Sequence, residues 1–354
     1  MIRVEAQGIE FCFRDDTGLL DGFTVIDRGL TITPLHRAPW VDTGEIMPEG
    51  EAPLMGRLGG DFFCAPFAAS EEGSPLHGWP PNSPWRVVRS GGGAVEAELE
   101  RLVHGARLTK RLAVRDNHPF IYQSHEFVGG EGCVTFANHA NVSVKNGALI
   151  RTSPKRVWET PKEQQEPDPA RGRSALICPA QAVDPTAFPG TDGPVDLTRY
   201  PWNPRHEDFV IGIEAAGHSL GWTAVVRPVE GDVYLSLRDP RYLPMTMLWH
   251  SNGGRDYPPW SGRHYGCLGV EEGAACHMLG ISSEADLTGP CALRLGGRTE
   301  VRHVVGAIAW PSGEPIADVG IAGDIVTVTG DEGAIREVPI DSAFLALGEV
   351  PHGE

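Results

Sequence analysis

The sequence predicts an all-β protein built as a large antiparallel β-sandwich, and three observations predict it. Glycine and proline, 44 and 30 of the 354 residues, interrupt the chain so often that long helices have little room. Between the interruptions, short runs alternate apolar and polar residues, the period of a strand with one buried face. Those runs are rich in branched and aromatic side chains, which suit a pleated, half-buried surface. So many short strands are expected to pack as two large sheets, with one domain spanning residues 1–354.

Taken in order, the first clear strands are R86-V-V-R89 and A94-V-E-A-E-L-E-R-L-V-H104, joined by a hairpin turn at G91-G-G93. R107-L-T-K-R-L-A-V114, F120-I-Y-Q-S-H-E-F-V128 and G132-C-V-T-F-A-N-H-A-N-V-S-V144 follow. The stretch T152 to R173 is charged and proline-rich, with few residues fit for a core, and reads as a long surface excursion. Next come A175-L-I-C178 and an irregular segment from Asp184 to Arg205, whose aromatics and acids suit either a pocket cover or plain packing. Later strands are F209-V-I-G-I-E-A215, G221-W-T-A-V-V-R227, D232-V-Y-L-S-L-R238, M245-T-M-L-W-H250 and C276-H-M-L-G-I281. The last pair is I316-A-D-V-G-I-A-G323 with D324-I-V-T-V-T329.

Charge narrows the partners. Lys and Arg total 30 against 47 Asp and Glu, a formal charge of -17, which repels nucleic acid and anionic membranes. A neutral or weakly charged small molecule fits better. The start M-I-R-V-E-A-Q-G-I-E has neither a positive region nor an apolar one, and no apolar run is long enough to span a bilayer, so a soluble, cytoplasmic protein is expected. Seven scattered cysteines, an odd number with no Cys-x-x-Cys pair, read as reduced thiols.

Candidate chemistry gathers in three places. The stretch G59-G-D-F-F-C-A-P-F67 followed by L76-H-G-W-P-P-N-S-P-W85 sets His77 on a turn beside rigid proline corners, a preorganised pocket wall. On the strand through Phe136, alternation puts Asn141 and Ser143 on the same face as His139. The run R263-H-Y-G-C-L-G-V270 ends in Glu271 and Glu272, which must point to opposite faces, one to a pocket and the other to solvent. Trp249, His250 and Trp260 supply aromatic faces of the kind that sugar rings stack on. His125, Glu126, His139 and His250 have no recognisable ligand spacing, so no metal and no other cofactor is expected.

These segments together resemble the galactose mutarotase-like superfamily, and within the aldose 1-epimerases the hexose-6-phosphate 1-epimerase-like branch, along most of the chain. That branch carries a pattern like R-G-G-x-P-x-x-x-P-x-F-G and then H-G-F-A-R-N-S-x-W; here stand L58-G-G-D-F-F-C-A-P-F-A68 and H77-G-W-P-P-N-S-P-W85. H139-A-N-V-S-V144 occupies the place of its H-T-Y-F-x-V motif, and L268-G-V-E-E-G273 that of its C-V-E-P-G motif. The resemblance implies the family's large β-supersandwich and an isomerase of carbohydrate metabolism that interconverts the anomers of a sugar. It implies Glu271 as the base that takes the anomeric proton and His139 as the acid at the ring oxygen. It also implies His77 on a sugar hydroxyl, and an assisting aspartate for which Asp196 is the candidate, with Asp184 behind it.

Two departures point away from a phosphorylated ligand. The family's arginines for a sugar phosphate are Leu58 and Pro81 here, and neither imitates a guanidinium fork. Arg57, one position away, is the nearest substitute, and with Asn141 and Trp249 it completes the expected binding set. The expected partner is therefore an unphosphorylated carbohydrate, with no nucleic acid and no membrane, and a homodimer is compatible with the reading. A non-catalytic sugar-binding or sensor protein on the same fold is the alternative.

Overall fold

The computed structural model describes residues 1–68 and 73–346. Two antiparallel sheets, of eleven and nine strands, form the body of the protein, as the alternating runs predicted. A three-stranded sheet spanning Ile316–Ala322, Ile325–Gly330 and Ile335–Pro339 lies against the outer face of the nine-stranded sheet through Val319, Val326, Val328 and Val338. Among the described residues no helix is long and apolar enough to cross a membrane.

The middle of the larger sheet positions the candidate site. Strands Asp61–Cys64, Phe136–Ser143, Cys267–Ala274, Met245–Asn252 and His206–Glu214 lie side by side in that order. Their alternate residues Phe63, Ala140, Val142, Leu268, Val270, Leu248 and Val210 enter the core between the two sheets. The other parity, including Phe62, Cys64, Ala137, Met247, Trp249 and Phe209, turns outward and is covered by Trp40, Leu54, Met55, Leu58 and Trp260 from the connecting loops. Both faces are therefore dry. In these strands nearly every residue is buried, where the alternating runs predicted one buried face.

Several expectations change. Arg156, Val157, Trp158 and Glu159, inside the predicted surface excursion, belong to the strand Lys155–Glu159, which pairs with His206–Glu214 on one side and the short strand Gln181–Ala182 on the other. Trp158 and Glu159 are buried there, and Glu166 further along is buried too; the backbone N–H groups of Gly280 and Ser282 satisfy Glu159, and Arg255 pairs with Glu166. Cys276–Met278 is a single 3-10 turn and not a strand, and Cys276 is disulfide-bonded to Cys291, so these two of the seven cysteines are not free thiols. Ala175 to Cys178 forms only an isolated bridge, Leu176 to Gly190.

Glu272 departs furthest from its expected place. It turns into the space between the sheets, fully buried, where Arg238 Nη1 lies 2.9 Å from its carboxylate. Thr223, Thr246 and Ser236 donate their hydroxyls to it at 2.6, 2.9 and 3.2 Å. Arg238 is shared with Glu214, which also pairs with Lys155. The sequence shows that two adjacent carboxylates face opposite ways, but only the fold supplies the partners that make a buried one tolerable: Arg238, Thr223 and Ser236 from the second sheet and Thr246 from the neighbouring strand.

Candidate functional site

Antiparallel register builds the centre of the site. His139 stands directly opposite Glu271 on one neighbouring strand and opposite Phe62 on the other, and residues so paired share a face. His139 Nε2 lies 3.1 Å from Glu271 Oε1, and the Phe62 ring stacks on the imidazole at a centroid separation of 4.3 Å. Trp249, opposite Gly269 on the next strand, holds its ring 6.0 Å from His139. Gly269 makes this closeness possible: a Cβ there would lie 2.6 Å from Glu271 Oε1, 2.9 Å from Trp249 Cβ and 3.3 Å from His139 Cε1.

His77 arrives from the loop side. Its own φ of 66° is left-handed, and Gly78 follows so closely against the backbone that a Cβ would lie 2.1 Å from the Ala65 carbonyl oxygen. The turn aims the imidazole edge-on at His139, with ring centroids 5.4 Å apart. The Ala68 N–H donates to His77 Nδ1 at 3.4 Å, and the Cys64 thiol lies at the same distance from it. Nδ1 is thus the accepting nitrogen, which leaves the proton on Nε2.

These side chains open on one cavity of about 140 Å³. His77, His139, Glu271, Trp249, Gln165 and Arg255 line it, and its remaining wall is apolar, with Leu54, Met55, Leu58, Phe209 and Met278 among the contributors. Arg255 Nε donates to Glu166 at 2.8 Å, Nη1 lies 3.5 Å from Glu207, and the guanidinium sits 4.5 Å over the Trp260 ring. The Trp249 indole N–H also donates to Glu207, so one buried carboxylate orients both an arginine and an aromatic wall.

Burial governs the electrostatics. It pushes the Glu271 carboxyl well above the ordinary range, with the Glu272 charge adding to the effect. The same desolvation drives His139 well below its ordinary value, helped by His77, and holds His77 down at about 4. In an apolar enclosure the uncharged forms win. Both shifts run toward the uncharged forms, a carboxylic acid beside a neutral imidazole, across a contact of 3.1 Å. His139 Nδ1 is buried with no hydrogen-bond partner among the described residues. The arrangement can give a proton at one point and take one at another, with nothing in it that requires a covalent intermediate.

Not every expected residue reaches this place. Asn141 shares the face of His139 but is fully buried one pleat along, donating to the Gly60 carbonyl at 3.2 Å and facing the Cys267 thiol. Arg57 points away and pairs with Asp16 at 3.1 Å, while its neighbour Leu58 lines the cavity. Asp196 accepts from Thr198 N and Oγ1 at 2.9 and 2.6 Å and lines a separate surface hollow with Asp192 and Arg199. Asp184 caps the turn Pro185–Ala187. Both aspartates are occupied by local turn bonds, as Asp followed two residues later by Thr favours. His250 faces the opposite way, against Trp202. Gln165 and Arg255 were not singled out from the sequence; each lies on a loop whose reach depends on the fold.

One group could hold a metal ion. His36, His264 and Cys267 offer ligand atoms within 4.8 Å of one another, all buried. The two Nε2 atoms are 3.1 Å apart, a distance that an ordinary N–H···N bond between neutral imidazoles explains. Among the described residues, His125, Glu126, His139 and His250, whose spacing matched no ligand pattern, are not part of it.

The overall likeness to solved structures is broad. A galactose mutarotase related enzyme from Lactobacillus acidophilus superposes with a TM-score of 0.53 at 10% identity, over 87% of this chain and 97% of that one. A structure from Escherichia coli K12, titled as a candidate aldose 1-epimerase, gives 0.54 at 12% identity, over 87% and 98%. One from Klebsiella pneumoniae with the same description gives 0.50 at 13%, over 86% and 78%. The chain has the galactose mutarotase-like fold. No protein-family description and no curated protein matches the sequence itself. The likeness to these structures is one of fold.

Proposed function

We propose that this protein is an aldose 1-epimerase-like isomerase that interconverts the anomers of an unphosphorylated sugar, with His139 and Glu271 as its acid–base pair. The observation that carries the reading is their direct pairing at 3.1 Å in an otherwise apolar cavity, with His77 and Trp249 alongside. A cavity of about 140 Å³ suits a single sugar ring better than a longer saccharide.

Anomer exchange asks for two proton transfers. Glu271 as carboxylate takes the proton of the anomeric hydroxyl while His139 as imidazolium gives one to the ring oxygen; the bond from the anomeric carbon to that oxygen breaks and an aldehyde forms. Rotation about the adjacent carbon–carbon bond and reclosure by the reverse transfers give the other anomer. The neutral resting pair reaches this form by moving its proton from Glu271 to His139, so no proton need come from solvent. His77 offers its Nε2–H to a hydroxyl, and Trp249 an aromatic face to the ring. Leu58 presents an apolar side chain to the cavity where the resemblance would place an arginine, which supports a ligand without phosphate.

The test is exchange between anomers, followed by NMR saturation transfer across a panel of aldoses. Acceleration for at least one sugar is expected, lost in His139→Ala and in Glu271→Gln. A wild-type protein that accelerates none overturns the proposal, and thermal stabilisation by a sugar without exchange makes it a binding protein.

A further inference from the structure

We infer that the ligand is a deoxy sugar, one whose buried edge carries hydrogen or methyl where a common hexose carries hydroxyl. The inference rests on the reading above, in which the His139–Glu271 pair serves the anomeric hydroxyl and the ring oxygen. An aldohexopyranose brings four more hydroxyls, at C2, C3, C4 and C6. Among the described residues the cavity offers few groups to receive them. His77 has Nε2 to give, since Nδ1 is engaged by Ala68. Gln165 has its amide N–H groups, its oxygen lying 3.4 Å from Arg255 Nη2. Arg255 itself is spread over Glu166, Glu207 and the Trp260 face.

Among the described residues, most of the remaining side chains of the wall cannot hydrogen-bond. Leu54, Met55, Leu58, Leu76, Phe209 and Met278 present only carbon and thioether sulfur. A hydroxyl pressed against such a wall loses its water and gains nothing, at about 1–3 kcal/mol each. A methyl or methylene in the same place is favoured by burial. The discrimination therefore falls on whichever ring substituent is pressed against this apolar lining.

The experiment compares matched pairs that differ by one hydroxyl: D-galactose with D-fucose, L-mannose with L-rhamnose, D-glucose with 2-deoxy-D-glucose. Within an accepted pair the deoxy member is expected to have a kcat/KM higher by roughly 10- to 100-fold, the range an apolar wall can enforce against an added hydroxyl. Met278→Gln, which offers an amide to that edge, is expected to shrink the ratio to about 3-fold or less. A parent hexose turned over as well as its deoxy partner overturns the inference while leaving the epimerase reading intact. If no sugar is exchanged, that reading fails, and the ranking is taken from thermal shifts: larger shifts with the deoxy members support the inference, equal, reversed or absent shifts overturn it.

Discussion

Gly269→Ala tests the geometry of the site with the smallest available change. Gly269 does not have a left-handed φ, so alanine brings no backbone strain, only a Cβ. That atom would sit 2.6 Å from Glu271 Oε1 and 2.9 Å from Trp249 Cβ, against ordinary contacts of about 3.5 Å or more. Trp249 Cβ is anchored to its strand and cannot turn away. The Glu271 carboxylate can move, and a shift of about 1 Å carries it off His139. Misplacement of that size costs about 10²-fold in rate, and the overpacking about 1–3 kcal/mol in stability. The assay is anomer exchange by saturation transfer beside a urea melt, with Gly297→Ala, whose Cβ meets nothing within 4 Å, as the control expected to stay within about 0.5 kcal/mol. Wild-type exchange in Gly269→Ala would refute the argument that the His139–Glu271 contact is what catalyses.

Further predictions concern protons, the buried carboxylate and the turn. Because burial lowers His139 and raises Glu271, the one-proton pair persists through the pH at which an ordinary imidazolium would be lost. The kcat/KM profile is therefore expected to run flat through pH 6.5, falling in acid as His139 gains a second proton and in alkali as Glu271 loses its own. An inflection centred near 6.5 would show that the pair is not desolvated as described. Glu272→Leu takes one of the two carboxylate partners of Arg238 and leaves three buried hydroxyls without their acceptor, so a loss of about 3–5 kcal/mol is expected in denaturant melts. A loss under 0.5 kcal/mol would mean that the residue is solvated after all. Gly78→Ala must place a Cβ against the Ala65 carbonyl at a φ of 73°, with an expected cost of about 2–5 kcal/mol; an unchanged melting temperature would contradict the close approach.

The fold was legible because it rests on local patterns. Frequent glycine and proline, period-two alternation and branched residues all act within a few positions, and they sufficed for two antiparallel sheets. Where a segment's burial depended on distant partners, local reading failed. Lys155–Glu159 looks like surface because it is charged, yet Glu159 is buried and bonded to the backbone of Gly280 and Ser282, more than a hundred residues on. Cys276 and Cys291 looked like free thiols because nothing in a chain with an odd cysteine count says which two will meet.

At the site the division is similar. His77, His139, Glu271 and Trp249 were readable because a turn and three strands present them by parity and spacing, and those rules are local. Asp196, Asp184 and Arg57 were chosen for their chemical type, and each is taken by a nearer partner; Asn141 shares the face of His139 as its parity requires, but its amide is held by the Gly60 carbonyl. The sequence by itself determined the sheet architecture, the face on which His139 lies and the absence of a guanidinium at Leu58. Only the tertiary structure decided that His139 and Glu271 meet in register, that Glu272 turns inward to Arg238, and that Gln165 and Arg255 reach the cavity. Strand pairing and loop closure join residues far apart in sequence, and the burial that sets the pair's protonation exists only once both faces of the sheet are covered.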